Sequence, residues 1–306
     1  MTVAGYPRQA ARSGLPRPER PERVALDHEQ SGASTKRKWI IAAAFALVPV
    51  VAGPGVGTAA AAPLSGSVAA IGDSIIQAYD VCCWYGNHPA NSRSTGGAGW
   101  DGVSSHYERI RALKPTITGH AYNDARSGAR MRDAPGQATQ AVAQGAKYVT
   151  ILMGANDVCT SSTSTMTSVE AFRDQFRQTL ATLNSGLSGN ARIFVASIPD
   201  VYHLWELYRT DLVAQSVWEA AGICQSLLAL SNTETQRQAV RNREIAFNTA
   251  LAEECGQYTN CKFDGNAVFN YRFTKSQVSK LDYFHPSLSG QAALAGVTWR
   301  ASWWGS

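Results

Sequence analysis

An α/β fold built on a parallel sheet is the class this sequence predicts, and three observations predict it. From residue 68 onward, short apolar runs rich in Val, Ile and Ala alternate with amphipathic stretches of roughly 10–20 residues, the pattern of βαβ units. Two of the apolar runs end in small and polar residues, Gly72-Asp73-Ser74 and Gly154-Ala155-Asn156-Asp157. In open α/β sheets the carboxyl ends of the strands are where ligands gather. The 306 residues are 44% apolar and 9% aromatic, enough for a sizeable core.

Residues 1–35 hold Pro, Arg, Glu, Gly and Ser with almost no apolar clustering. They cannot bury enough surface to offset chain entropy and are expected to be disordered. Residues 36–62 bring a basic head, Lys36-Arg37-Lys38, then an apolar run of 13 residues from Trp39 to Val51, then an Ala-rich end with an Ala-x-Ala site. That is the layout of a secretory signal peptide, cut near Ala61 or Ala62. The run is too short, and too closely bounded by Pro and Gly, for a membrane span or stable anchor. The 35 residues ahead of the basic head are long for such a peptide and point to a start downstream of Met1, for instance at Val24.

The folded domain is expected over 63–306, with no internal repeat. Val68–Ile71 is the first strand, and Gly72 tolerates the tight turn that ends it. Residues 82–100 form a long loop, and Val103–Leu113 has helical spacing. Thr116–Ala121 is expected to be a strand, Ala134–Gly145 a helix and Lys147–Met153 a buried strand. Val169–Leu187 is an amphipathic helix with Ser168 as its N-cap. Arg192–Ser197 is a further strand, 200–233 an insertion of mixed character, and Thr235–Glu254 a long helix. Residues 262–264 add a strand and Leu288–Trp299 the last helix.

The net charge of +5 is misleading until it is divided. The first 62 residues carry eight basic and four acidic side chains, +4 of the total, which leaves +1 for the domain. A nearly neutral domain gives a nucleic-acid role no electrostatic support.

The chemistry-bearing residues lie at predicted strand ends. Ser74 follows the first strand, Tyr122-Asn123-Asp124-Ala125-Arg126-Ser127-Gly128 the second, and Gly154-Ala155-Asn156-Asp157 the third. In a parallel sheet these share one edge. Near the C-terminus stands Asp282-Tyr283-Phe284-His285. An Asp and a His three apart in a turn can face one side. The Asp then accepts the Nδ1 proton and leaves Nε2 free to act on a serine hydroxyl. Singly, each stretch has an ordinary reading: Asp73-Ser74 and Asn156-Asp157 as turns or caps, His285 before Pro286 as a turn histidine, Asp282 as a helix-start acid. Asp73 is expected to hold its turn by bonding local N–H groups. His88, His106, His120 and His203 show no metal-ligand spacing.

Gly72-Asp73-Ser74, Gly128, Gly154-x-Asn156-Asp157 and Asp282-x-x-His285 resemble, in order and spacing, the four motif blocks of the SGNH (GDSL) hydrolases, over residues 68–292. The stretch from Gly154 to Cys159 and on to Asp282 looks most similar to the phospholipase B-type and related lipases. Two positions depart from the family pattern: Ile75 stands where many members have Leu, and a Gly usual a few positions on is missing. Neither is a reacting group. The resemblance implies a flavodoxin-like three-layer α/β/α sandwich. It implies Ser74 as nucleophile, His285 as general base and then acid, and Asp282 as the residue that orients His285. The backbone N–H groups of Ser74 and Gly128 and the side-chain amide of Asn156 would form the oxyanion hole. No metal or cofactor is implied. The expected activity is that of a secreted, monomeric esterase or lipase acting on lipid or short-to-medium acyl esters. The alternatives are an O-acetyl esterase on polysaccharide and a catalytically silent scaffold that binds lipid or glycan.

Six cysteines in an exported chain are expected to pair. Cys255 and Cys261 close a short loop and are the first candidates. Cys159 follows the Asn156 block and Cys224 lies in the insertion, so a bridge between them is expected over the active-site edge. Cys82 and Cys83 stay open: a vicinal disulfide, or replacement of a partner in either pair. Trp84, Tyr85 and Trp100 in the first long loop, with Trp205 and Tyr208 in the insertion, are candidates to line an acyl pocket. Ordinary loop packing is the competing reading.

Overall fold

The computed structural model describes residues 63–305. The extension expected over 1–35 and the signal peptide expected over 36–62 lie outside the described residues.

Five parallel strands form one sheet: β1 Val68–Gly72, β2 Ala121–Asn123, β3 Tyr148–Leu152, β4 Arg192–Val195 and β5 Cys261–Phe263, in spatial order β2-β1-β3-β4-β5. This is the flavodoxin-like strand order, and the expected α/β sandwich is what forms. Alternation along each strand sorts the core into two layers. Ala69, Ile71, Val149, Ile151, Ile193 and Val195 face one side. There they meet α2 (Ala134–Ala143), α4 (Val169–Gly186) and α8 (Glu234–Cys255). Val68, Ala70, Tyr148, Leu152 and Phe194 face the other side, against α1 (His106–Leu113) and α9 (Leu288–Ala301). The central strands β1 and β3 are buried on both faces, as parallel strands are, while the edge strands β2 and β5 are half-buried. In the first layer Phe172 of α4 stacks on Phe247 of α8 at 3.9 Å between centroids.

Caps decide where the helices begin. Helix α1 starts at His106 rather than at Val103, because Ser105 and Glu108 close a reciprocal capping box. Ser168 caps α4 as expected, and α8, capped by Thr233, begins one residue ahead of the expected start.

Two expectations are corrected. The strand expected over Thr116–Ala121 is displaced to Ala121–Asn123. Pro115 opens a 3₁₀ turn over Pro115–Ile117, and Gly119 at φ +83° ends it before the chain can extend. The mixed insertion over 200–233 is helical: α5 (Val201–Tyr208), α6 (Leu212–Ala221) and α7 (Gln225–Leu228), the first two capped by Asp200 and Asp211. A further short helix, α3 (Ala155–Val158), follows β3 directly.

Candidate active site

Strands β1 and β3 are neighbours whose outgoing connections leave in opposite directions along the sheet, and the crevice at their carboxyl ends is the site such folds offer to a ligand. Ser74 stands there. Gly72 pairs with Leu152 in the register of β1 and β3. A Cβ on Gly72 would fall 2.6 Å from the Leu152 carbonyl and would drive into the Ile76 side chain, so only glycine fits. The buried Gln137 of α2 clamps the same residue: its Oε1 accepts the Gly72 N–H at 2.8 Å and its Nε2 donates to the Gly72 carbonyl at 3.0 Å. Asp73 Oδ1 accepts the Ile75 N–H at 2.9 Å and holds the turn, in the role expected for it. Its Oδ2 is buried with no partner. Burial therefore pushes the Asp73 carboxyl up to about 6, against the pull of the Ile75 N–H and of His285.

The C-terminal turn brings the histidine to the serine. Asp282 Oδ1 accepts the N–H groups of Phe284 and His285 at 2.9 and 3.0 Å. Its Oδ2 meets His285 Nδ1 at 2.5 Å, and His285 Nε2 meets Ser74 Oγ at 2.8 Å. Burial alone would raise the Asp282 carboxyl. The hydrogen bond and charge of His285, with the two backbone N–H groups, outweigh it and hold Asp282 below the ordinary carboxylate value. Tyr79 and Phe284 flank the imidazole, with ring centroids 5.0 and 5.1 Å away.

Gly128 and Asn156 converge on the same edge. The Arg126 N–H donates to the Gly72 carbonyl at 3.2 Å, which lays the segment after β2 beside the end of β1. The turn from Arg126 to Ala129 puts Gly128 at φ +80°, the third position of a type II turn, where glycine is preferred. Asn156 Nδ2 donates to the Ala129 carbonyl at 3.0 Å. An amide nitrogen has two hydrogens, so one is left for a ligand. The buried Asp157 fastens this block from below, accepting the Met131 N–H at 2.9 Å and the Thr167 hydroxyl at 2.7 Å.

A narrow apolar slot opens beside His285. It is lined by Ile75, Leu204, Leu207, Phe273, Phe284 and Pro286, among others, and holds about 60 Å³ of room for the centres of water molecules. Trp84, Tyr85 and Trp100 do not line it; they stand 67%, 69% and 77% exposed. Tyr85 does reach the turn before Asp282, with its hydroxyl 3.4 Å from the Leu281 carbonyl. Tyr208 is buried edge-on against Trp218 of α6 and Tyr283 of the C-terminal turn, and Trp205 lies under the guanidinium of Arg237 on α8 at 3.8 Å, so both serve packing between elements and do not line the slot. The slot residues on α5 escaped the sequence reading because the insertion showed no clear period. Their one signal was Asp200, a capping residue ahead of Leu204 and Leu207, which are three apart on one helix face.

Cys159–Cys224 and Cys255–Cys261 are disulfides, as expected. Cys82 and Cys83 are free thiols with Sγ atoms 2.7 Å apart, so neither a vicinal disulfide nor an exchanged pairing is formed. Among the described residues, the cluster with donor atoms close enough to share a cation is Asp80, Asp282 and His285, all within 4.8 Å. Its donors are already engaged inside the protein: His285 Nδ1 with Asp282, and Asp80 Oδ1 with the Gly86 N–H at 2.6 Å. Also among the described residues, no helix is long and apolar enough to cross a membrane.

Comparison with known proteins places this geometry in a family. Residues 68–296 match the model of the GDSL-like lipases and acylhydrolases. No curated protein matches the chain at a significant level. Sixteen chains among the solved structures match, three of which follow. A protein described as a GDSL-like lipase from Parabacteroides merdae is 16% identical, with 77% of this chain and 94% of that one covered and a TM-score of 0.47. An extracellular lipase from Streptomyces rimosus is 16% identical, with 77% and 99% covered and a TM-score of 0.46. A mutant acetyl esterase bound to acetate is 15% identical, with 75% and 92% covered and a TM-score of 0.43. The family model spans the strand that carries Ser74 through to the helix behind His285, and the chain belongs to the GDSL-like lipase/acylhydrolase family.

Proposed function

We propose that the protein is a serine esterase or lipase that cleaves carboxylic esters through an acyl-enzyme on Ser74. The observation that carries this reading is the unbroken hydrogen-bond chain from Asp282 through His285 to the Ser74 hydroxyl. His285 Nε2 takes the Ser74 proton as Oγ bonds to the ester carbonyl carbon. The tetrahedral oxyanion is met by the N–H groups of Ser74 and Gly128 and by the remaining amide hydrogen of Asn156. Each such donor contributes roughly 3 kcal/mol to the transition state. The imidazolium, held by Asp282, gives its proton to the departing alcohol, and the ester C–O bond breaks. Water then attacks the acyl-enzyme with His285 again as base, and the acid is released. None of these steps calls on a metal or cofactor.

The apolar slot beside His285 suits an acyl chain, and its narrowness favours short and medium chains. The same narrowness supports one alternative, an O-acetyl esterase acting on polysaccharide. Two disulfides fit an oxidising compartment. With the basic-apolar-Ala layout of 36–62, they support secretion of the domain 63–306 after cleavage near Ala61 or Ala62. Initial rates on p-nitrophenyl esters from acetate to palmitate, with Ser74→Ala beside the wild type, test the reading. We expect cleavage by the wild type alone and an optimum at short to medium chains. A rate falling steeply beyond acetate supports the O-acetyl reading. Equal inertness of both proteins, with no fluorophosphonate label on Ser74, sinks the hydrolase mechanism and leaves the binding scaffold.

A further inference from the structure

A second carboxylate stands behind Asp282, and the reaction above gives it no role. Asp80 is 2% exposed. A carboxylate oxygen of Asp80, one of Asp282 and a ring nitrogen of His285 lie within 4.8 Å of one another. The strap that carries Asp80 is fixed in place. Asp80 has φ +51°, in the left-handed region that Asp tolerates better than most residues. Its N–H donates to the Gly86 carbonyl at 2.8 Å, and its Oδ1 accepts the Gly86 N–H at 2.6 Å. Its carbonyl accepts the Ser279 hydroxyl at 2.5 Å. The same Ser279 oxygen accepts the Leu281 N–H at 3.1 Å, and the Ser279 N–H donates to the His285 carbonyl at 2.8 Å. Ser279 thus pins the strap to the turn that holds Asp282 and His285.

Two carboxylates this close resist being ionised together unless a cation faces them. The cation here is the His285 imidazolium that forms when Ser74 gives up its proton. The other titratable groups around it are Tyr79, on the strap itself, and Asp73, which faces His285 from the end of β1. Burial first, and then the charge of Asp282, push the Asp80 carboxyl above its ordinary value, while Asp282 is held below its own.

We propose that Asp80 is a positioning residue for the hydrolase: at working pH it adds a second negative charge behind Asp282, and at lower pH it takes up a proton and hydrogen-bonds to Asp282. The charge of His285 in the transition state is then met by two anions instead of one. The inference rests on the Ser74–His285–Asp282 assignment.

The test is the pH profile of kcat/KM for wild type and Asp80→Asn. The amide keeps an oxygen for the Gly86 N–H and removes the charge. We expect the acid limb to move down by about one pH unit, the size one neighbouring charge produces, and the alkaline plateau to fall several-fold. Ser279→Ala loosens the strap and leaves the charge, so its limb should stay with the wild type while its Tm falls. An unmoved limb in folded Asp80→Asn reduces Asp80 to a turn-holding residue and overturns the proposal. A measurement with Asp80 in place covers the case in which Asp80→Asn does not fold. The low-field NMR signal of the His285 Nδ1 proton should show, below the limb, an inflection that persists in Asp73→Asn, which removes the other carboxyl facing His285, and its absence there overturns the proposal. Ser74→Ala and His285→Ala run in parallel: activity retained in either removes the underlying triad, whatever Asp80→Asn does.

Discussion

Gly154→Ala tests whether the Asn156 block is held by backbone shape. Gly154 ends the run out of β3 at φ +131°, a conformation that side-chain-bearing residues rarely adopt. Holding alanine there costs on the order of 1–3 kcal/mol. The new Cβ would also sit 3.0 Å from Ile198 Cγ1 and 3.1 Å from Phe172 Cε2, with Ile198 Cδ1 closer still. Both neighbours are fully buried, so relief requires a repacked core, typically another 1–3 kcal/mol. Together these predict a loss of about 2–6 kcal/mol, which for a domain of this size lowers Tm by roughly 5–20 °C. Asn156 lies two residues on, and in the proposed mechanism its amide meets the oxyanion rather than the ground state, so kcat should fall more than KM changes. Calorimetry and p-nitrophenyl ester kinetics measure both. Ile198→Val in the same chain removes Cδ1, the nearest clash, and should recover part of the packing share, leaving the backbone share. A Gly154→Ala protein with wild-type Tm and kcat refutes the reasoning, and full recovery by Ile198→Val refutes the backbone half.

Two further predictions concern stability. The Asp73 carboxyl is raised from 3.8 to about 6, so the folded state binds the proton more tightly than the unfolded chain between those values. Its contribution is intact below pH 3.8 and falls by about 3 kcal/mol as pH rises through 6. Asp73→Asn should flatten that decline in a Tm series from pH 4 to 7, and a variant that tracks the wild type throughout removes the cause assigned here. The Cys159–Cys224 link closes a span of 65 residues and Cys255–Cys261 one of 6, so loop entropy alone assigns them about 4 and 2 kcal/mol. Cys159→Ala with Cys224→Ala should therefore lose more in urea unfolding than the other double variant, and the reverse order counts against the entropic account.

What was legible in the sequence follows from how local each signal is. Ser74, Asn156 and Gly128 were readable because each sits just past a strand, where a run of β-formers breaks at glycine or a small residue. Asp282 and His285 were readable because three residues of turn suffice to join them. Boundaries set by capping, such as the start of α1 at Ser105, were in the sequence too, as Ser-x-x-Glu. The apolar slot was not. Leu204, Leu207, Phe273 and Phe284 come from three separate segments, and only the packing of α5 against the C-terminal turn makes them one wall. Trp84, Tyr85 and Trp100 were drawn to the site by residue type, yet their loop turns them to solvent. Asp80 was invisible for the same reason: its meaning comes from Ser279, almost two hundred residues away.

The site owes its geometry to backbone ties between segments more than to the reacting side chains. Gln137 holds Gly72 at both its N–H and its carbonyl, the Arg126 N–H ties the Gly128 turn to that same carbonyl, and the Ala129 carbonyl holds Asn156. The turn that ends in His285 is tied through Ser279 to the strap that follows Ser74. Each donor or acceptor is therefore fixed by a neighbour that also fixes another. Catalysis by preset dipoles requires this, because groups that must reorganise during reaction lose what they would contribute. Substitutions at Gly72, Gln137 or Ser279, none of which would meet the ester in the proposed mechanism, should accordingly lower kcat as well as stability.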